Sequence, residues 1–101
     1  MGAESFRDYF SGSTAQEAFV NAVKEAQHYY GHGGYTGTIA EKDSFQMATS
    51  KILSNEEAGH LADELENTTF SNKWGPAGCI QINDSQNSFN KTFMFFGWAS
   101  S

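Results

Sequence analysis

Residues 92–99 form the segment that most restricts how this chain can fold. Two apolar rows alternate along it, Phe93, Phe95 and Gly97 on one side and Met94, Phe96 and Trp98 on the other. A strand that is apolar on both faces is typical of the centre of a sheet or of a subunit interface. With 101 residues, enough for one hydrophobic core, the sequence predicts a single domain over residues 1–101.

Two capping-box patterns predict where helices begin. Thr14 is followed by Glu17, and Ser54 by Glu57, so that a hydroxyl accepts a main-chain N–H and a carboxylate bonds back to the cap. Small and apolar residues then recur at steps of three and four positions. The sequence therefore predicts one helix over about residues 14–30 and another over about residues 55–66.

The remaining periodic segments predict a sheet. Four strands are expected, over Tyr35–Ala40, Phe45–Thr49, Ala77–Ile82 and Thr92–Ala99. The first two are joined by turn-forming residues 41–44 and are expected to form a hairpin, and the last two are separated by a polar loop. Residues 1–12 are expected to form an aromatic N-terminal arm or a short strand. The predicted fold class is α+β, with two helices and an antiparallel sheet of about four strands in the order α-β-β-α-β-β.

The overall charge limits the classes of partner. A net charge of −6 argues against a nucleic acid polymer, because such binding needs clustered Lys and Arg. It leaves room for a local cationic pocket or for an acidic protein that imitates nucleic acid. The aromatic content of 15% favours a homo-oligomer. The single cysteine, Cys79, predicts a reducing cytoplasm, and the sequence predicts neither a signal peptide nor a membrane helix.

A glycine-rich segment, residues 31–42, is the strongest candidate for a binding site. The consecutive amides of Gly33 and Gly34 can form an anion-binding nest, with His32 and Lys42 beside them. Trp74, in a loop with Gly75 and Pro76, is expected to stack on a base. The predicted ligand-binding set is His32, Gly33, Gly34, Tyr35, Thr36, Thr38, Lys42 and Trp74. The alternative interpretation is a tight connection from a helix to a strand.

Catalysis and metal binding are not expected from these residues. Three His and one Cys without close pairing do not form a structural zinc site. Cys79 lies on a predicted strand, where a buried structural thiol is the usual state. His32 with Glu41 or Asp43 is the only acid–base candidate, and a dense polar constellation is lacking. We therefore expect no catalytic residues, no metal and no cofactor.

The segment Tyr30–Lys42, at the end of an alanine-rich helix, resembles a segment of small accessory proteins of tailed bacteriophages. The resemblance covers residues 14–45, and the terminal run Phe95–Ser100 adds to it. Such proteins often block host defence, and some are oligomeric sponges that sequester nucleotide-derived immune signals.

The resemblance implies a viral anti-defence protein of the host cell cytoplasm. It would bind a cyclic oligonucleotide or an ADP-ribose derivative without catalysis. An acidic protein-binding inhibitor or nucleic acid mimic, recognised through the carboxylates of helix 55–66, is the alternative. A structural virion component also stays open.

Overall fold

The computed structural model describes residues 3–30, 38–72, 74–83 and 91–100. The strands are β1 (Ala3–Gly12), β2 (Phe45–Met47), β3 (Ala77–Ile82) and β4 (Lys91–Ser100). The helices are α1 (Ala15–Tyr30) and α2 (Asn55–Glu66), and Ile39–Glu41 form a 3₁₀ turn. The sheet order is β1-β4-β3-β2. β4 is antiparallel to both of its neighbours, whereas β2 is parallel to β3.

β4 is the central strand that its two apolar rows predict. It pairs with β1 along one side and with β3 along the other. Residues 93–96 are at most 2% exposed within the single chain. Because both faces are covered by the chain itself, this strand gives no reason for subunit association, and the homo-oligomer stays a prediction.

The two helices cover opposite faces of the sheet. Since side chains alternate along a strand, Phe93 and Phe95 point to one face while Met94 and Phe96 point to the other. The first face packs against α1 in a core whose other members include Phe6, Phe19, Ile39 and Cys79. The second face packs against α2 in a core that includes Phe70, Ile80 and Ile82. The chain therefore forms three layers, with the sheet in the middle.

The predicted helix bounds are confirmed to within a residue. α2 begins after Ser54, whose hydroxyl accepts from Glu57 N at 3.1 Å, while the Glu57 carboxylate accepts from Ser54 N at 3.2 Å. α1 follows Thr14, whose hydroxyl accepts from Glu17 N at 3.1 Å. Neither described helix is long and apolar enough to cross a membrane.

The sheet differs from the prediction in direction and in membership. The predicted antiparallel sheet is mixed, because the connection from β2 to β3 runs through α2 and brings the two strands parallel. Residues 3–12 are not an arm but a full edge strand, paired with β4 from Ala3 to Gly12. The order is therefore β-α-β-α-β-β rather than α-β-β-α-β-β.

Residues 38–40 do not form part of the predicted strand Tyr35–Ala40 but belong to the 3₁₀ turn and its cap. Residues 35–37 lie outside the described residues, and Thr38 caps the 3₁₀ turn. The Thr38 hydroxyl accepts from Ala40 N at 3.2 Å, and Lys42 N donates to Ile39 O at 2.9 Å. These bonds close a turn that an extended strand cannot make, so residues 38–40 do not form the predicted hairpin with Phe45–Thr49.

Candidate small-molecule site

A cavity of about 320 Å³ lies between β1, α1 and the 3₁₀ turn. Its walls are residues 5–8 and Phe10 of β1, Ala22, Glu25, Ala26 and Tyr29 of α1, and Thr38 and Ile39 beside them. Its volume is at the lower end of the range for small-molecule sites, roughly 300–1,000 Å³. The cavity is large enough for one ring system with polar substituents.

Alternation along β1 decides which side chains reach the cavity. Asp8 is paired in register with Phe95 and shares the α1 face with Phe6 and Phe10. The Arg7 side chain lies on the other face, where it bonds to Asp63 and Glu66 of α2. Arg7 therefore contributes its main chain to the cavity wall and not its positive charge.

Two carboxylates give the cavity its electrostatic character. Asp8 comes from β1 and Glu25 from α1, and both line the cavity. Burial, and to a smaller extent the nearby charge of Glu25, raises the pKa of the Asp8 carboxyl. Among the described lining residues, no cationic side chain faces these two groups. This part of the wall therefore offers hydrogen-bond acceptors and negative charge.

We expect Asp8→Asn to raise the free energy of unfolding at pH 7 by about 0.5–1 kcal/mol. Because the folded-state pKa of Asp8 is raised, its ionisation stabilises the unfolded state relative to the folded one. Protonation of Asp8 therefore favours the folded state. This contribution to the free energy of unfolding is fully present below the ordinary pKa of an Asp carboxyl and is lost as pH rises through the folded-state pKa of Asp8. Urea denaturation at pH 7 and pH 3.5 should show the advantage of Asp8→Asn shrinking at the lower pH, and no shrinkage would contradict this.

Aromatic rings complete the cavity. Phe6 and Phe10 lie on the β1 side, and Tyr29 stands at the rim with 72% of its surface exposed. His28 contacts Tyr29 edge-on, with 5.3 Å between the ring centroids. An exposed Tyr ring at the mouth of a cavity is placed to stack on a planar ligand.

The structure brings one residue of the predicted ligand set to this cavity. Thr38 lines it, and His32, Gly33, Gly34, Tyr35 and Thr36 lie outside the described residues. Thr38 and Ile39 are thus the described residues of the glycine-rich segment, residues 31–42, that line the cavity.

Lys42 is not the exposed loop residue that the sequence suggested. It is 4% exposed, and its ammonium group donates to Gly75 O at 2.8 Å. The same ammonium nitrogen lies 6.0 Å from the centroid of the Phe6 ring. Lys42 therefore ties the end of the 3₁₀ turn to the loop that precedes β3.

Trp74 lies in that same loop, next to Gly75. Trp74 is 62% exposed, and its main-chain N–H donates to Asn72 Oδ1 at 2.9 Å. It is not among the described residues that line the cavity. The predicted set is thus divided between two places, and the stacking role of Trp74 stays a prediction.

Lys42→Ala is expected to lower the free energy of unfolding by about 1–3 kcal/mol, because it leaves the Gly75 carbonyl without its charged donor. Chemical denaturation measures the loss. Lys51→Ala, at an exposed position, is the control and should change stability by less than about 0.5 kcal/mol. Equal stability of the two variants would mean that the hydrogen bond from Lys42 to Gly75 O does not contribute to the free energy of unfolding.

Sequence reasoning missed Asp8 and Glu25. Asp8 occupies the middle of an apolar row, Phe6-x-Asp8-x-Phe10, which becomes visible only when residues 3–12 are treated as a strand. Glu25 lies one helical turn from Ala22 and from Tyr29, which line the same cavity. The carboxylate of Asp8 within a row of apolar residues is the sequence feature that could have indicated a polar site on this strand.

Neither Cys79 nor a metal-binding cluster provides a second site among the described residues. Cys79 is fully buried, as predicted, and burial raises the pKa of its thiol to about 12. No group of three or more His, Cys, Asp or Glu side chains within the described ranges is placed to hold a metal ion.

Comparison with protein-family models, curated proteins and solved structures finds no match to the chain.

Proposed function

We propose that the protein captures a small molecule in the cavity between β1 and α1 without transforming it. The ligand is a nucleotide-derived signal of host defence, and the protein acts as a viral anti-defence sponge in the host cell cytoplasm. The observation that supports capture is the cavity itself, in which carboxylates and aromatic rings from two elements converge. The nucleotide class rests on the chemistry of the glycine-rich segment, residues 31–42, from which Thr38 and Ile39 line the cavity.

The cavity walls suit the nucleoside end of such a ligand. Asp8 and Glu25 are acceptors for the hydroxyl groups of ribose and for the amino groups of bases. Stacking on an aromatic ring contributes about 1–3 kcal/mol per base, and Tyr29 presents such a ring. The acidic wall repels phosphate, so the phosphate end lies outside the cavity, where the amides of Gly33 and Gly34 are proposed to bind it.

One observation counts against the acidic-mimic alternative. That alternative relies on five carboxylates of α2, namely Glu56, Glu57, Asp63, Glu64 and Glu66. Three of the five already accept hydrogen bonds within the chain, Glu57 from Ser54 N and both Asp63 and Glu66 from Arg7. A surface that imitates the phosphates of nucleic acid needs its charges directed outward, so we favour capture in the cavity.

The experiment separates binding from catalysis. Protein is purified from cells with an active nucleotide-signalling defence, denatured by heat, and the released small molecule is analysed by mass spectrometry. We expect an unmodified nucleotide-derived signal that reactivates the host effector. Recovery of a cleaved or altered nucleotide would identify an enzyme instead, with His32, Glu41 and Asp43 as the first residues to test.

A further inference from the structure

We infer that the ligand inserts an amino group between Asp8 and Glu25, that is, a nitrogen that donates N–H bonds and carries positive or partial positive charge. This inference rests on the proposed capture function and names the part of the ligand that the cavity selects. It follows from the charges that face the cavity, from its size and from its aromatic walls.

The charge balance is the first step. β1 contributes the Asp8 carboxylate, and α1 contributes the Glu25 carboxylate. The turn contributes the Thr38 hydroxyl, which accepts from Ala40 N, and the apolar Ile39. Arg7 directs its guanidinium to Asp63 and Glu66 on the other face of the sheet. Asp8 is half-buried and Glu25 is exposed, and two neighbouring carboxylates are stabilised by a positive donor and destabilised by an anion.

The second step concerns the kind of positive group. A hard metal cation takes six or more oxygen ligands, and among the described residues no third carboxylate joins Asp8 and Glu25 to hold one. A cavity of about 320 Å³ is also far larger than a bare ion requires. An organic nitrogen group fits both the volume and the walls.

The third step is the aromatic lining. Phe10 lines the cavity from β1, and Tyr29 lines it from α1. The face of an aromatic ring attracts a cationic nitrogen, and the attraction grows when water is excluded. Carboxylates together with ring faces reject a carbonyl oxygen, and they bind a positively charged amino group more tightly than a neutral hydroxyl group.

Two sources supply this chemistry, an amino-substituted base of a nucleotide and a free organic amine. Calorimetry with two matched pairs of probes distinguishes them. The first pair is adenosine 5′-monophosphate and purine ribonucleoside 5′-monophosphate, which has hydrogen in place of the amino group. The second pair is 1,4-diaminobutane and 1,4-butanediol.

We expect the amino member of at least one pair to bind about tenfold more tightly than its counterpart, since hydrogen bonds to a charged group are stronger than neutral ones. Asp8→Asn and Glu25→Gln should each remove most of this preference. Glu56→Gln, an equal charge change on the exposed surface of α2, should leave it intact. Thermal denaturation checks that all three variants are folded.

Each outcome either supports the inference that an amino group binds between Asp8 and Glu25 or overturns it. A preference in the nucleotide pair assigns the amino group to a base, and one in the amine pair assigns it to a free amine. Equal binding within both pairs, or a preference that survives Asp8→Asn and Glu25→Gln, overturns the inference and leaves the capture function standing. Failure of all four probes to bind at millimolar concentration also overturns it, while the released-ligand experiment judges capture independently.

Discussion

Gly78→Ala should destabilise the protein by about 3 kcal/mol, close to the upper end of what overpacking of a core costs. A Cβ atom at position 78 would clash with Cζ and with both Cε atoms of Phe96, its partner in the β3–β4 register. The Phe96 ring is fully buried and packs edge-on against Phe70, with 5.2 Å between the ring centroids. A shift of the ring therefore disturbs its contacts with buried neighbours, Phe70 among them. Chemical denaturation measures the loss.

Gly59→Ala is the matched control. It makes the same substitution in α2, where a new Cβ atom meets nothing within 4 Å. Because alanine loses less backbone freedom than glycine in a helix, stability should rise by about 0.5–1 kcal/mol. Combining Gly78→Ala with Phe96→Leu should recover part of the loss. If Gly78→Ala behaves like Gly59→Ala, the ring does not lie against Gly78.

Arg7→Ala is the second large effect, with an expected loss of about 1–3 kcal/mol. The guanidinium donates to Asp63 at 2.8 Å and to Glu66 at 3.0 Å, and the Glu66 side chain is only 11% exposed. Burial already raises the pKa of Glu66 despite the nearby Arg7 charge. Without Arg7, the Glu66 carboxylate is buried without its counter-charge. Urea denaturation at pH 7 measures the loss.

The pH dependence identifies the cause of that loss. In Arg7→Ala the folded-state pKa of Glu66 should rise further, since burial continues to act and the opposing charge is gone. Stability linked to protonated Glu66 is present below its unfolded-state pKa and is lost as pH rises through the folded-state pKa. The loss in Arg7→Ala should therefore be smaller near pH 4 than at pH 7, and Arg7→Ala with Glu66→Gln should be more stable at pH 7 than Arg7→Ala alone. A loss that is independent of pH would assign the effect to packing of the Arg7 stem.

The elements that local patterns determine were predictable from the sequence. Both capping boxes mark helix starts, because the bonds of Ser54 and Thr14 form within one turn of chain. The apolar rows of β4 left two alternatives, the centre of a sheet or a subunit interface, and the structure shows the central position. The pairing of β1 with β4 joins residues about 90 positions apart in sequence, and no local signal specifies it. The direction of β2 depends likewise on the crossover through α2.

The candidate site was harder to predict, because its parts come from separate elements. Thr38 was selected for its place in the glycine-rich segment, and it lies at the cavity. Asp8 could not be selected because the sequence of residues 1–12 leaves an arm and a short strand both open, and only the strand places Asp8 in an apolar row. Lys42 was expected to meet a ligand, but its charge is used to bind Gly75 O. A buried lysine cannot be told from an exposed one by its position after a turn.

Blocking the cavity tests the central claim, which is that a ligand occupies the space between β1 and α1. Ala26 lines this space and is 8% exposed, so Ala26→Phe directs a ring into it. Tyr29→Ala removes the ring at the rim, from a position that contributes little to the core. Glu56→Gln, on the opposite face of the sheet, is the control.

Native mass spectrometry of the four proteins, each isolated from cells with an active nucleotide-signalling defence, is the most direct measurement. We predict that the wild type and Glu56→Gln carry one small molecule of the same mass. Ala26→Phe should carry none, and Tyr29→Ala should show reduced occupancy, with thermal denaturation confirming that both are folded. Full occupancy in folded Ala26→Phe, or a wild type that carries no small molecule, would contradict the assignment of this cavity as the binding site.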